Sequence, residues 1–336
     1  CVLKTEGNFN NEIGLPLTVF NLREEHQVAV LEMGISDFGE MTRLAKIARP
    51  DICVITNIGF AHLENLGSRD GILKAKTEMF DYMNPEGTII LNGDDDKLSS
   101  CRPSNGLQPI YFGLDPSLPF HAENIVDQGM DGTDALFVTP DLQFGAHISI
   151  PGDHMVYNAL AGIAVGRSMG LNEKEIAAGI EALVPIAGRN NLIRTDRFSI
   201  IDDCYNANPA SMKSSLGVLS RSKSRTVAIL GDMFELGAEE KEMHRQVGRY
   251  AAEYKINTLV CIGSLSAETA QGAREKAASS SESSDAGESC INIYHFSLKE
   301  EFFQNMNEIL QTGDTILVKA SHGMEFSEIV ERLQNE

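Results

Sequence analysis

Long hydrophobic runs are missing from this sequence of 336 residues. A helix that crosses a bilayer needs about 18 or more consecutive apolar residues, and neither such a run nor a charged-then-apolar leader occurs, so no membrane span and no secretion are predicted. Basic residues are also few, because 28 Lys and Arg stand against 48 Asp and Glu and give a formal net charge of −20. Without a basic stripe, nucleic acid and anionic membrane surfaces are not expected as partners. An anionic ligand would need local help from a metal ion, an arginine or a helix N-terminus.

Paired cysteines are a second absence. The six cysteines are scattered, no Cys-x-x-Cys motif occurs, and Cys53 and Cys261 fall inside apolar segments. This usage is typical of reduced thiols, so we expect a cytoplasmic protein. The sequence also lacks a G-x-G-x-x-G that opens a helix, which argues against a dinucleotide-dependent oxidoreductase.

The order of apolar segments predicts an α/β protein with two domains, since this length suits about two domains of ordinary size. In residues 1–187 strands alternate with helices, which indicates a central, mostly parallel sheet of the ATPase type. Within this domain, residues 109–150 alternate between apolar and polar positions and predict an excursion of short antiparallel strands. Residues 188–336 predict a smaller, Rossmann-like C-terminal α/β domain. Its polar segment 279–289 predicts a mobile, dispensable loop.

Polar side chains follow three predicted strands of the first domain. Glu32 follows the first strand, Asn57 and His62 follow the second, and residues 92–95 follow the third. Because the carboxyl ends of parallel strands meet at one edge of a sheet, we expect these groups to converge. Carboxylate and imidazole groups in an oxygen-rich site suit a hard divalent cation beside phosphates. Each group taken alone is more often a helix cap or a surface residue.

Lys76 occupies the middle of an apolar helix face that also contains Ile72, Met79, Phe80 and Met83. A cation on such a face costs free energy unless it is paired, neutralised or chemically changed. The simpler alternative is that its stem packs on the apolar surface while its ammonium group reaches water.

Four loops are rich in residues that often bind ligands. They are the Gly- and Asn-rich segment 4–16 and, in the second domain, the strand-end loops 202–212, 230–237 and 318–324. Strand-end loops of open α/β sheets are common binding sites. Each loop is also consistent with a well-capped turn, because Asn and Asp readily form turns and caps.

The order of these motifs resembles that of the Mur ligases, which use ATP to join an amino acid or dipeptide to the UDP-muramyl peptide of cell-wall synthesis. The resemblance covers nearly the whole chain. The motifs that carry it are TEGNFNNEIGLP, the E-M-G at Glu32 to Gly34, NIGFAHLENLGS, KAKTEMF, LNGDDD, PGDHMVYNALA, AGR at Ala187 to Arg189, DDCYNANPASM, LGDMFELG and VKASHGM. The YNANP element is most similar to the family member that adds D-alanyl-D-alanine to the UDP-N-acetylmuramoyl tripeptide.

The resemblance implies an ATP-dependent amide ligase that works through an acyl phosphate in peptidoglycan precursor synthesis. It implies ATP and a pair of Mg²⁺ ions as cofactors, the UDP-muramyl tripeptide and D-alanyl-D-alanine as partners, and a monomeric state. Glu32 and His62 would be magnesium ligands, and Lys76 would be carbamylated and complete this catalytic set. The implied nucleotide contacts are Asn158 for adenine, Asp203 for ribose, Arg189 for the phosphates, and His154. The implied contacts to the muramyl peptide are Thr5, Asn10 and Asn11, and those to the dipeptide are Tyr205, Asn206, Asn208, Lys319 and Ser321.

Departures from the family's pattern bear on these expectations. The family needs a G-x-x-x-x-G-K-[ST] loop upstream of Cys1, and this sequence contains none. The family's N-terminal domain, which binds the UDP end, is also missing, so we expect the central and C-terminal domains of a longer protein, nearly inactive alone. Met155 stands where Asn is usual, and His322 stands where Arg is common.

Other functions remain open. A non-catalytic binding module of the same fold would present a ligand or partner surface without magnesium-dependent nucleotide binding. A related ligase, such as another Mur member or a folylpolyglutamate-type enzyme, would take a different amine substrate.

Overall fold

The structure is a computed structural model that describes residues 1–59, 62–281 and 291–336. The chain folds into two compact units whose segments interleave along the sequence. The first unit comprises Cys1–Glu123, Leu136–Phe144 and Tyr157–Ala177, and the second comprises Asn124–Ala135, Gly145–Val156 and Ala178–Glu336. The domain boundary expected between residues 187 and 188 stays a prediction. No helix within the described ranges has the length and apolar character needed to cross a membrane.

Strands and helices alternate along most of the described chain. The strands are β1 Val2–Lys4, β2 Val28–Val30, β3 Ile52–Ile55, β4 Thr88–Asn92, β5 Ile110–Gly113, β6 Phe120–Asp127, β7 Thr133–Val138, β8 Gln143–Ile148, β9 Asn191–Arg194, β10 Ser199–Asp202, β11 Thr226–Gly231, β12 Thr258–Ile262, β13 Asn292–Phe296 and β14 Thr315–Lys319. The helices are α1 Gly14–Val19, α2 Glu40–Ala48, α3 Leu63–Leu66, α4 Arg69–Thr77, α5 His154–Ser168, α6 Glu173–Glu181, α7 Pro209–Ser220, α8 Glu240–Glu253, α9 Ser266–Ser281, α10 Lys299–Ile309 and α11 Ser327–Gln334. The α/β class with mostly parallel sheets is confirmed.

The core of the first unit forms where helices cover the parallel strands β3 and β4. Strands β3 to β8 form one sheet in the order β3-β4-β5-β6-β7-β8, and β3 pairs parallel with β4. One cluster joins Ala45 of α2 and Ile72 of α4 to Ile55 and Leu91 of the strands. Ser68 caps α4 by accepting a hydrogen bond from the Gly71 N–H, so the helix begins where a polar residue precedes the apolar face.

The prediction of antiparallel strands in residues 109–150 was wrong for β5 and β6. β5 pairs parallel with β4, with Ile110 opposite Ile90, and β6 pairs parallel with β5, with Phe120 opposite Phe112. Alternation of apolar residues indicates which face of a strand is buried, but it carries no information on the direction of the neighbouring strand.

The strand before Glu32 was also placed wrongly, because it was expected to share a sheet with β3 and β4. Instead β2 pairs with β1 in a separate parallel sheet of two strands. Ala29 and Val30 of β2 are exposed, so this short strand has too little buried surface to specify its partner from sequence.

The second unit contains a sheet with helices on both faces. Its order is β13-β12-β11-β14-β10-β9, and the pairs are parallel except that β9 runs antiparallel to β10 at the edge. Helices α7, α8 and α9 contribute to the cluster on one face, and α10 and α11 contribute to the cluster on the other. Strands buried on both faces read as continuous apolar runs, as β11 does. Five of these six strands were predicted from sequence, and the antiparallel edge strand β9 was not. The predicted loop at residues 279–289 lies mostly outside the described residues, and α9 extends to Ser281.

Candidate functional site

Glu32 lies two residues beyond the end of β2, where two other predicted residues contact it. The amide nitrogen of Asn10 donates a 2.9 Å hydrogen bond to Glu32 Oε1, and the backbone N–H of Glu32 donates to the hydroxyl of Thr5, also at 2.9 Å. The Gly34 N–H donates to the Asn10 carbonyl at 2.8 Å. Thr5, Asn10 and Glu32 therefore form one hydrogen-bonded group, and their predicted roles toward metal and muramyl peptide stay predictions.

Lys76 lies on α4, half-buried, and two carboxylates are close enough to affect its charge. Burial lowers the pKa of Lys76 below its ordinary value, while the charges of Asp95 and Glu32 act in the opposite direction. No residue in the described part of the chain forms a hydrogen bond or ion pair with the Lys76 ammonium. The structure thus gathers Glu32, Lys76 and Asp95, although Glu32 follows a strand of another sheet.

Asp95 connects the ends of β4 and β3. Its Oδ2 accepts a 2.8 Å hydrogen bond from the Ile58 N–H, and its Oδ1 accepts from the N–H groups of Lys97 and Leu98. Arg69 donates to the Ile58 carbonyl at 3.0 Å, so the backbone of Ile58 is held on both sides. The sequence analysis singled out residues 92–95 as a group and missed this role of Asp95, for which the Asp-Asp-Asp run was the available signal.

The remaining predicted residues of the first unit have different surroundings. His62 is half-buried and has a left-handed backbone conformation with φ of 60°, directly before α3. Asn11 uses its side-chain oxygen to accept hydrogen bonds from the N–H groups of Ile13 and Gly14, so it caps the start of α1. Asn158 is exposed on α5. Their predicted roles toward metal, muramyl peptide and adenine stay predictions.

The donor chemistry around Lys76 can be compared with that of a Mg²⁺ site. Within the described ranges, no group of three or more His, Cys, Asp and Glu side chains is arranged to hold a metal ion. The two carboxylates near Lys76 are Glu32, whose Oε1 accepts a hydrogen bond from Asn10, and Asp95, both oxygens of which accept backbone N–H groups. A lysine ammonium repels cations, whereas a carbamate on the same nitrogen would supply hard oxygen donors. The residues present fit Mg²⁺ only if Lys76 is carbamylated.

In the second unit, Asp203 and Lys319 form a buried ion pair at the carboxyl ends of β10 and β14. Lys319 Nζ lies 2.6 Å from Asp203 Oδ2 and also donates to the Asn206 carbonyl at 3.0 Å. Asp203 further accepts hydrogen bonds from Ser215 Oγ at 2.5 Å and from the Asn190 N–H at 3.2 Å. Asn190 and Ser215 were not predicted, because an Asn after Arg189 and a Ser inside a helix carry no distinctive signal.

His154 opens α5 and is held by two polar side chains. The Asn190 amide donates to Nε2 at 3.2 Å, so the neutral ring carries its proton on Nδ1, which faces Ser214 Oγ at 3.1 Å. Burial lowers the pKa of His154, while the charge of Asp203 raises it. The neutral form is therefore the one that this network favours. Asn190 Oδ1 is buried without a hydrogen-bond partner among the described residues.

Arg189 and Tyr205 form a stacked pair. The guanidinium of Arg189 lies 4.2 Å from the centroid of the Tyr205 ring, and the ring of His322 lies 5.6 Å from the same centroid. The Tyr205 N–H donates to the Gly188 carbonyl at 3.0 Å, which brings the two segments together. Arg189 is exposed and available for an anionic group.

Three further predicted residues of the second unit have structural hydrogen bonds. Asn208 caps α7 in a capping box with Ser211, and Ser321 Oγ accepts a hydrogen bond from the Phe234 N–H at 2.9 Å. Asn206 Oδ1 accepts from the N–H of the next residue at 2.8 Å. Their contacts with a substrate stay predictions.

The mostly parallel sheets, with polar groups at the carboxyl ends of strands in both units, define the class: an α/β protein with polar loops at its strand ends. The family model described as Mur ligase middle domain matches residues 1–166, and the one described as Mur ligase, glutamate ligase domain matches residues 188–322. The UDP-N-acetylmuramoyl-tripeptide--D-alanyl-D-alanine ligase of Bacillus subtilis (strain 168) is 37% identical over 335 residues, which are 99% of this chain and 70% of the relative. This chain belongs to the Mur ligase family.

Solved structures have the same fold. A crystal structure of MurF from Acinetobacter baumannii superposes with a TM-score of 0.87 at 29% identity, covering 100% of this chain and 71% of that one. The MurF ligase from Thermotoga maritima in complex with ADP gives a TM-score of 0.83 at 26% identity, covering 100% of this chain and 73% of that one.

Proposed function

We propose that this chain supplies the central and C-terminal domains of a ligase that joins D-alanyl-D-alanine to the UDP-N-acetylmuramoyl tripeptide with ATP. The B. subtilis relative is named for this reaction, and the T. maritima structure contains ADP. The observation in this chain that carries the proposal is the approach of Glu32 and Asp95 to the half-buried amine of Lys76. A buried lysine whose pKa is lowered, with carboxylates nearby, is typical of functional sites.

The reaction has two steps. A carboxylate oxygen of the tripeptide attacks the γ-phosphorus of ATP, and the bond from this phosphorus to the bridging oxygen breaks. ADP is released, and the tripeptide becomes an acyl phosphate. The neutral amine of the dipeptide then attacks the acyl carbon, an amide bond forms, and inorganic phosphate leaves while the amine loses its proton. Such chemistry depends on positioning and on charge stabilisation by the protein.

Glu32, His62 and a carbamate on Lys76 would hold Mg²⁺, which when bound neutralises negative charge on the phosphates. To form the carbamate, the neutral Lys76 nitrogen bonds the carbon of CO₂ and loses a proton. The burial that lowers the Lys76 pKa supports this step because it increases the neutral fraction of the amine. Asn10 would orient Glu32 through their 2.9 Å hydrogen bond.

The other predicted contacts complete the proposal. Thr5, Asn10 and Asn11 would meet the muramyl peptide, and Arg189 would meet the phosphates because its guanidinium is exposed. Asn158, His154 and Asp203 keep their proposed nucleotide contacts, and Tyr205, Asn206, Asn208 and Ser321 their proposed dipeptide contacts. Location in the cytoplasm and a monomeric state stay predictions.

The test is a ligase assay with the UDP-muramyl tripeptide, D-alanyl-D-alanine, ATP and Mg²⁺, read by phosphate release and by the mass of the pentapeptide product. It is run on this chain and on a chimaera that adds the part of the B. subtilis relative that this chain does not cover. We expect turnover by the chimaera and little by the chain alone, because the chain contains no phosphate-binding P-loop. The Glu32→Gln chimaera is expected to lose most turnover.

Three outcomes would contradict the proposal. Turnover by the chain alone at the rate of the chimaera would contradict the account of the phosphate site. Turnover with L-glutamate in place of D-alanyl-D-alanine would indicate a folylpolyglutamate-type or other Mur ligase. A folded chimaera that shows no magnesium-dependent nucleotide binding would indicate a non-catalytic binding module.

A further inference from the structure

Lys319 uses its whole hydrogen-bonding capacity on the protein itself. It ends β14, is 2% exposed, and donates to Asp203 Oδ2 at 2.6 Å, to the Asn206 carbonyl at 3.0 Å and to the Asp203 carbonyl at 3.4 Å. An ammonium group has three N–H donors, so the acceptors of this network leave none for a ligand. The dipeptide contact expected for Lys319 from the resemblance would require this pair to break.

Asp203 extends the network to two segments that carry proposed site residues. Its Oδ1 accepts the Asn190 N–H at 3.2 Å, and Asn190 directly follows Arg189. Its Oδ2 accepts from Ser215 on α7 at 2.5 Å as well as from Lys319. The Asn206 carbonyl, which accepts a hydrogen bond from Lys319, belongs to the loop 204–208 that carries Tyr205.

We propose that Lys319 is a positioning residue that fixes the segment 188–190 relative to the loop 204–208 through Asp203 and the Asn206 carbonyl. The proposal rests on the proposed function, because positioning matters for the reaction only if Arg189 and Tyr205 act in it. Lys319 touches neither of these side chains and acts through the backbone that carries them.

A lysine suits this position for electrostatic reasons. Asp203 is 9% exposed, and a buried carboxylate without a countercharge is costly. The ammonium group supplies the countercharge and still has donors for a carbonyl of the neighbouring loop. Breaking a buried ion pair by removing one partner is strongly destabilising, so the pair is not expected to open for a neutral or singly charged substrate group.

The test compares hydrogen exchange in the full chain and in the Lys319→Met variant, which keeps the length of the side chain but removes its charge. We expect amide exchange of the segment 188–190 and of the loop 204–208 to accelerate together by at least about tenfold, while β12 keeps its protection. Lys213→Met is the matched control, because Lys213 is exposed on α7 and only stacks over Tyr250 at 4.9 Å. Faster exchange in one of the two segments alone would overturn the proposal.

A second variant covers the case in which Lys319→Met does not fold. Lys319→Met combined with Asp203→Asn removes both charges and leaves no unpaired carboxylate. We expect this variant to fold and to show the same paired acceleration of exchange, since the donor to Asn206 is still missing. Native protection of both segments in the double variant would overturn the proposal.

Amine labelling separates positioning from substrate contact without any turnover. In the native chain we expect Lys319 to resist acetylation and Lys213 to react, as read by mass spectrometry of peptides. D-Alanyl-D-alanine should leave both results unchanged. A Lys319 that reacts readily and is protected by the dipeptide would instead be a contact residue, which overturns the proposal.

Steady-state kinetics of the active chimaera test whether Lys319 affects the reaction. If Lys319 positions both segments, Lys319→Met raises the KM for ATP and the KM for the dipeptide together. A contact residue would raise the dipeptide KM alone, and that result would overturn the proposal. If hydrogen exchange accelerates in both segments but no chimaera shows turnover, the proposed function is contradicted while the positioning role of Lys319 is supported. Failure of the proposed function can therefore be distinguished from failure of the positioning role.

Discussion

Asp95 Oδ2 accepts a 2.8 Å hydrogen bond from the backbone N–H of Ile58, and this bond joins the ends of β4 and β3. The Asp95 side chain is 8% exposed. Its charge also raises the pKa of Lys76 against the effect of burial. The Asp95 carboxylate thus holds the backbone at Ile58, which precedes His62, and also favours the protonated form of Lys76.

Asp95→Asn is expected to destabilise the first unit by about 1–3 kcal/mol, because an amide nitrogen would then face backbone N–H donors. Urea unfolding measures the loss, and hydrogen exchange at Ile58 locates it. Asp96→Asn is the control, since Asp96 is 65% exposed and pairs with Arg69, a contact worth about 0–1 kcal/mol. Equal losses of unfolding free energy in the two variants would show that the hydrogen bond from Ile58 to Asp95 stabilises the unit no more than a surface ion pair does.

The sequence was sufficient to predict groups that lie near one another along the chain or at the ends of buried strands. The half-burial of Lys76 follows from its place on the apolar face of α4, and the positions of β11 and β12 along the chain follow from their continuous apolar runs. The convergence of Glu32 with Lys76 was predicted for an incorrect reason, because β2 belongs to a different sheet.

The hydrogen-bond partners of the candidate site residues could not be predicted from the sequence. Whether a polar side chain faces a ligand or caps a helix depends on backbone positions several residues away. The side-chain oxygens of Asn208 and Asn11 accept hydrogen bonds at the starts of α7 and α1, and Lys319 forms an ion pair with Asp203. The sequence pattern placed these residues in loops at strand ends, but it did not show that their side chains hydrogen-bond within the protein.

Lys76 is expected to take up CO₂ more readily than an ordinary lysine. Because burial lowers its pKa from the ordinary 10.5, its neutral fraction at a given pH is larger, and carbamate formation should increase as the pH rises toward that value. Labelled bicarbonate and NMR detect the carbamate, and mass spectrometry under native conditions detects an addition of about 44 Da.

Lys74 provides the matched control for this reaction. It lies on the same helix, is exposed, and its ammonium stacks 5.7 Å from the centroid of the Phe38 ring. Lys74→Ala should keep the carbamate signal and Lys76→Ala should lose it. A signal that survives Lys76→Ala would place the carbamate elsewhere and remove the oxygen donor proposed for Mg²⁺.

His244 makes stability depend on pH in the second unit. It is fully buried, its Nε2 accepts the Met233 N–H at 2.9 Å, and its Nδ1 lies 2.7 Å from the Glu240 carbonyl, so the ring is neutral with its proton on Nδ1. Burial lowers its pKa from the ordinary 6.5. Between the lowered pKa and 6.5 the unfolded chain binds more protons than the folded chain, so the free energy of unfolding falls as the pH falls.

The expected slope is at most about 1.4 kcal/mol per pH unit for each histidine with a lowered pKa. His154 acts in the same direction because burial lowers its pKa too. Urea unfolding at several pH values, from about one unit above to about two units below the ordinary histidine pKa, measures the sum. His244→Gln should flatten part of this dependence, and a slope that stays the same in that variant would assign the effect to other groups.

Gly152 and Gly162 should respond to alanine with opposite signs. Gly152 has φ of +120°, and an added Cβ would lie 2.6 Å from Cε1 of His154, so Gly152→Ala should cost about 1–3 kcal/mol of stability and move the histidine from Ser214 and Asn190. Gly162 lies inside α5 with no atom within 4 Å of an added Cβ, and Gly162→Ala should stabilise the helix by about 0.5–1 kcal/mol. Thermal unfolding measures both changes, and NMR of the His154 ring reports the displacement. If Gly152→Ala proved as stable as the parent with an unchanged His154 signal, the close fit between residue 152 and the imidazole would not constrain this site.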